Sequence, residues 1–192
     1  MGFTLVELLI VIALLGVLAT AVLAAINPLE QANRARDAKY KSDASQLLAA
    51  IDRYFVSKDE FPWMTITPIT YDSADGAIGF VTAKDVNIGV CAAASCVGTA
   101  GSGVLITNNE LKTEFQKRDF ITKTGALDLL YIGKAQGASE STYACYVPRS
   151  KSERSKATQT LAVGSPTLTP VTDCATRTYA GLASSCVVCL PQ

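Results

Sequence analysis

The chain contains no histidine. That absence removes Ser-His-Asp and Cys-His catalysis and every metal site that draws on imidazole. Neither charge sign is in excess, since 17 basic and 17 acidic residues balance over 192 positions. Proteins that grip duplex nucleic acid carry a basic surplus, so nucleic acid is excluded as the main partner. Charge is scarce altogether, at 18% of residues against the usual quarter, and the mean hydropathy is +0.26. A disordered or polyelectrolyte chain is therefore excluded. No phosphate-binding loop occurs, so any energy for moving the chain comes from a separate ATPase. The length suits one domain with its own core.

What is present is unevenly spread. From Phe3 to Ile26, 20 of 24 residues are apolar. As a helix this stretch is about 36 Å long, enough to cross the hydrocarbon core of a bilayer. A cleavable secretory signal needs a basic region ahead of a shorter apolar run, and Met1-Gly2 supplies no base. A plain single-pass anchor leaves Glu7 unexplained. A carboxylate at membrane depth costs a few kcal/mol unless it is paired. Either Glu7 sits solvated at the headgroup level, or it awaits a positive partner from another chain. The next charge in sequence is Glu30, so its own helix offers no partner.

Beyond Pro28 the chain turns amphipathic. Tyr40, Ala44, Leu47, Ile51 and Tyr54 recur at spacings of four, three, four and three, one apolar face of a helix. Six basic and six acidic residues between Glu30 and Glu60 fill the remaining positions and read as a solvated surface. The helix is expected to end between Ser57 and Phe61, ahead of Pro62. Phe3 to Ser57 as one helix would be about 80 Å long, so half of it must be covered by membrane or by other subunits. Gly16 and Pro28 are its weak points.

The region Phe61 to Thr124 has irregular polarity. A helix is expected from Asn109, as its cap, to Phe120. Asp72-x-x-Asp75-Gly76 reads as a turn, because the alternating ligands of a calcium loop are missing. Strands are expected at Leu127–Ile132, Ser141–Val147 and Thr158–Val163, the first two forming a hairpin through Gly133–Gly137. The fold class is α+β: a long N-terminal helix packed on an antiparallel sheet.

Six cysteines, Cys91, Cys96, Cys145, Cys174, Cys186 and Cys189, all lie outside the apolar segment. That placement favours disulfides in an oxidising compartment. Fifteen pairings are open to six cysteines, and spacing does not choose among them. The expected set is Cys91–Cys96, Cys145–Cys189 and Cys174–Cys186. Cys186-Val187-Val188-Cys189 also has the spacing of a redox motif or half a zinc site, with Cys145 and Cys174 as the remaining thiolates. No cofactor and no metal is expected. Arg149, Lys151, Arg154 and Lys156, interrupted by Glu153, form a basic cluster. It reads as a solvated face, with weak contact to DNA or another surface as the sharper alternative.

Gly2-Phe3-Thr4-Leu5-Val6-Glu7, followed by an uncharged run through Gly16, resembles the class III signal of type IV pilins and their pseudopilin relatives. Asn27-Pro28-Leu29-Glu30-Gln31 is similar to such proteins as well. The resemblance implies cleavage after Gly2 by a membrane-embedded prepilin peptidase and N-methylation of Phe3. It implies that Glu7 faces the α-ammonium of Phe3 in an adjacent subunit, which fixes the register of an incoming copy. It further implies that the segment between Gly16 and Pro28 can unwind on packing. The leader ahead of the cut is Met1-Gly2, shorter and less basic than the family's, so the true start is expected upstream.

The resulting expectation is a non-catalytic subunit of a type IV pilus-like filament. It would be held in the inner membrane as a single-pass precursor and become an extracellular homopolymer, for adhesion, twitching motility or DNA uptake. Its partners would be identical subunits, the peptidase, and an assembly ATPase with an inner-membrane platform acting in trans. A type II secretion pseudopilin and a membrane-anchored binding module are the alternatives. The expected segments are the leader at 1–2, the hydrophobic helix at 3–28, the amphipathic helix at 29–60, a variable region at 61–124, and a sheet with a disulfide-bonded C-terminal region at 125–192.

Overall fold

The computed structural model describes residues 2–25, 27–64, 76–93, 96, 101–137 and 139–191. Two long helices lead the chain: α1, Leu5–Ala25, and α2, Pro28–Lys58. The expected single rod is therefore two helices. Asn27 is extended and its side chain accepts a 3.1 Å hydrogen bond from the Glu30 N–H, while Pro28 occupies the first turn of α2. Proline lacks the N–H that a first turn leaves unsatisfied anyway, so Asn-Pro starts a helix better than it continues one. Gly16, by contrast, lies within α1 without interrupting it. At the far end Asp59 takes the left-handed conformation and returns its N–H to the Phe55 carbonyl, which stops α2.

The apolar stripe of α2 is buried as its spacing predicts: Tyr40, Ala44, Leu47, Ile51 and Tyr54 all lie in the core. Each of the larger side chains contributes about 1.5–3 kcal/mol by leaving water. The stripe covers one face of a four-stranded antiparallel sheet. Its strands are β1, Ile78–Thr82, β2, Leu130–Lys134, β3, Thr142–Tyr146, and β6, Val188–Leu190, in the order β1-β2-β3-β6. Leu130, Ile132, Ala144, Tyr146, Val188 and Leu190 belong to the α2-side core. The alternate residues Tyr131, Cys145 and Cys189 join Phe80, Leu161 and Val187 on the other face. A two-stranded ribbon, β4, Gln159–Leu161, with β5, Leu168–Pro170, lies on that second side and meets the sheet through a Gln159–Val187 bridge. With both faces covered, β2 is buried along its whole length, which explains the apolar run Leu129–Ile132, while the buried Lys134 donates to the Gly137 carbonyl.

Three expectations shift. In place of the one helix expected from Asn109 to Phe120 there is a 3-10 turn at Thr113–Lys117 and the start of a short helix α4, Asp119–Thr122, and another short helix, α3, Val104–Thr107, precedes Asn109. Asn109 has a φ of 61° and follows α3, so it ends a helix rather than capping the start of one. Asparagine tolerates the left-handed conformation that such an ending needs. Gly133 and Lys134, expected in the hairpin loop, are strand residues. A Cβ on Gly133 would stand 2.7 Å from the Phe80 ring, so this glycine serves packing rather than a turn. Leu127 and Asp128, expected as strand, lie in a 3-10 turn, Ala126–Asp128. The Asp72–Asp75 pair lies outside the described residues.

Candidate functional site

Thr4 and Glu7 open α1 with a reciprocal capping arrangement. The Thr4 N–H and hydroxyl both donate to Glu7 Oε2, at 2.9 and 2.8 Å, and the Glu7 N–H donates to Thr4 Oγ1 at 3.2 Å. Two backbone donors that a helix start leaves orphaned are thereby satisfied inside the segment. Further along, the Thr20 hydroxyl donates to the Val17 carbonyl at 2.8 Å. The Thr4, Glu7 and Thr20 side chains are thus all hydrogen-bonded locally, which suits a helix surrounded by lipid. Glu7 Oε2 takes both Thr4 bonds, and Oε1 has no hydrogen-bond partner among the described residues. Within the chain Phe3 and Glu7 make no hydrogen bond to each other, and Phe3 is exposed.

The rest of α1 is apolar all round. Leu5–Val22 has a mean hydropathy of 2.7, and none of it is buried inside the molecule. A helix without a polar face has no orientation in which water is acceptable, so it needs lipid or other protein around it. Thr4 was not singled out from the sequence, although Thr-x-x-Glu before an apolar run is the spacing of a capping box.

At the other end of the site, the head is fastened to the first turns of α2. Asp37 is buried, and its carboxylate accepts the backbone N–H groups of Arg149 at 3.0 Å and Ser150 at 2.7 Å. The Arg36 guanidinium lies over the Tyr40 ring and donates to the carbonyls of Leu127 and Val147, at 2.8 and 3.2 Å. Asp128 joins both Arg36 and Arg149. The Glu30 carboxylate receives the backbone N–H of Lys151 at 3.0 Å. Partial burial pushes the Glu30 carboxyl up. The Lys151 N–H, the Arg34 guanidinium and the Ser152 N–H outweigh burial and hold it below the ordinary glutamate range.

Most of the basic cluster is therefore tied into this fastening. Arg149 pairs with Asp128, Lys151 heads helix α5, Lys151–Arg154, which docks on Glu30, and Arg154 lies 4.0 Å over the Tyr179 ring. Lys156 pairs with Glu153 at 3.2 Å. The reading of all charges on α2 as solvated fails at Asp37 and Asp43, both buried. A signal was available, because stepping the Tyr40–Tyr54 stripe back by three lands on Asp37.

The cysteines are all paired, as Cys91–Cys96, Cys145–Cys189 and Cys174–Cys186. Cys145 and Cys189 stand directly opposite each other on β3 and β6, and Cys174–Cys186 holds the chain that leads into β6. In this state no thiolate is left for a metal or for redox chemistry, and no acidic or thiol cluster of metal-binding size occurs among the described residues.

One membrane-length helix, exposed on every side and joined to a disulfide-stapled α+β head, defines a stem-and-head protein whose stem is solvated by something other than its own fold. Compared with known families, residues 2–23 match the prokaryotic N-terminal methylation motif. The chain thus carries the class III signal of type IV pilins and pseudopilins, and its helix, antiparallel sheet and disulfides fit the α+β pilin fold. No curated protein and no solved structure matches the chain. The motif and the apolar helix together support a membrane-anchored precursor.

Proposed function

We propose that the chain is the structural subunit of a type IV pilus-like filament, drawn from the inner membrane and polymerised through α1. The single observation behind this reading is the unburied stem: Leu5–Val22 finds no cover within the molecule, and the methylation motif sits at its head. Lipid covers such a helix in the stored precursor, and other copies of it cover it in a fibre. Cleavage after Gly2 releases the Phe3 amine, and Glu7 Oε1, unused by the Thr4 cap, is the acceptor for that ammonium on a neighbouring copy. A charge pair in a low-dielectric bundle gains most when its partners have no water to return to, which makes it a register device. Peptidase, ATPase and membrane platform act on the chain from outside it.

The test is mass spectrometry of fibres sheared from cells that make the protein. The N-terminal peptide is expected to begin at an N-methylated Phe3 in the polymer. Recovery of the chain only as an uncleaved membrane monomer sinks the reading.

A further inference from the structure

The fastening between head and stem sorts its charges by depth. Around the first turns of α2 the carboxylates point inward: Glu30, Asp37, Asp128 and Glu153 have side chains only 1–19% exposed. The cations beside them point outward, with Arg34, Arg149 and Lys156 at 42–65% exposure and Lys151 also exposed. Each acid is occupied by a backbone N–H or by a base, so this corner of the head presents positive charge although the whole chain is neutral.

Its distance from the stem is bounded. The apolar run ends at Ile26, and Glu30, on which α5 docks through the Lys151 N–H, is four residues further, no more than about 14 Å of chain at full extension. The headgroup layer on each side of a bilayer is about 5–8 Å deep, and charges still act across about 8 Å of physiological salt beyond it. When α1 spans the membrane, Arg34 and Lys151, both held at Glu30, come within reach of the lipid phosphates, with Arg149 and Lys156 beside Lys151 in sequence.

Resting on the membrane-stored precursor proposed above, we infer that the stem-proximal face of the head, carrying Arg34, Arg149, Lys151 and Lys156, is a docking surface for anionic lipid headgroups. It holds the head down on the bilayer until extraction. The partner is a phosphate-bearing membrane surface rather than nucleic acid, because the face begins a few residues past the end of the membrane-length helix.

The full chain in lipid nanodiscs, of phosphatidylglycerol or of phosphatidylcholine, tests this by the rate at which a water-soluble amine reagent labels each lysine. A basic side chain near an anionic surface gains about 1 kcal/mol, so Lys151 and Lys156 are expected to react about fivefold more slowly in phosphatidylglycerol. High salt should abolish the difference. Lys58, at the far end of α2, and Lys112 serve as references and should not respond. Lys151→Gln should leave the remaining protection at Lys156 weaker while the disulfide-bonded head stays folded. Equal labelling in the two lipids overturns the inference, as does equal slowing in phosphatidylcholine with added inorganic phosphate, which would mean free anion binding. Protection of the same lysines by duplex DNA on assembled fibres, with none from phosphatidylglycerol, overturns it in favour of nucleic acid. Failure of the chain to enter nanodiscs would instead count against the membrane-stored precursor itself.

Discussion

The two long helices solve opposite problems with polar groups. α1 satisfies its few polar side chains locally, Thr4 with Glu7 and Thr20 with Val17, and leaves its whole surface for partners from outside. α2 places two carboxylates in the core and satisfies Asp37 with N–H groups more than a hundred residues away in sequence. On the proposed function, the first helix is specified for assembly and the second for folding. Changes in α1 should therefore leave the head intact while abolishing polymer, and changes in α2 should do the reverse.

The largest expected effect is Glu7→Ala. It removes the one charge in the stem and should eliminate fibres, while the melting temperature of the monomeric full chain in detergent stays unchanged. Fibres at wild-type yield would erase the division between the helices. Asp37→Ala comes next. It leaves the Arg149 and Ser150 N–H groups without their acceptor in the interior and removes one of the partners of Arg36, a loss of about 3–5 kcal/mol. In a domain of this size that lowers the melting temperature by roughly 10 °C. Denaturant midpoints on Asp37→Ala and Asp37→Asn would check it, the amide recovering part of the loss.

Replacing Cys145 and Cys189 together by serine should cost about 2–4 kcal/mol, read as a shift in denaturant midpoint with the fully oxidised wild type as the reference. The smallest effect is a pH slope. Asp43 is buried beside Arg118, at 3.0 Å, and its Oδ2 has no hydrogen-bond partner among the described residues. Burial raises the Asp43 carboxyl above the ordinary aspartate range, and Arg118 and Lys39 offset only part of it. A raised folded pKa means that the native state holds the proton longer than the unfolded chain does. The stability it contributes is present below about pH 4 and is lost as pH rises through the folded value. Asp43→Asn should flatten that component in unfolding curves taken across the acid range, and an unchanged slope would show that Arg118 fully compensates the charge.

Much of this was legible in the sequence because it is periodic or compositional. The apolar run, the Tyr40–Tyr54 stripe and the hairpin strands β2 and β3 each rest on patterns within about twenty residues. The rest depends on partners that are distant in sequence. β1 carries Gly79, whose missing side chain lets the backbone at Gly164 press against it, with the Phe80 N–H donating to the Ser165 carbonyl. Nothing local to Ile78–Thr82 announces that contact. Asp37 looks like any helix-surface acid until the turn at Arg149–Ser150 arrives to bind it. The start of α2 is half legible: Pro28 marks a weak point in a long helix, and Asn27 ahead of it makes the pair a starting signal.

The disulfide order carries a chronology. The Cys174–Cys186 bond lies wholly inside the loop closed by Cys145–Cys189, which spans 44 residues. A head that emerges across the membrane with its N-terminal side first presents Cys145 to the oxidant while its proper partner is still unexported, and the next thiol to appear is Cys174. Pairing by order of arrival would join the wrong two. The native set is reached when β6 has come out far enough to lie against β3, so oxidation has to wait for the last strand or be corrected by thiol exchange. In the proposed precursor, the bond that closes the sheet thus also reports that export of the head is finished.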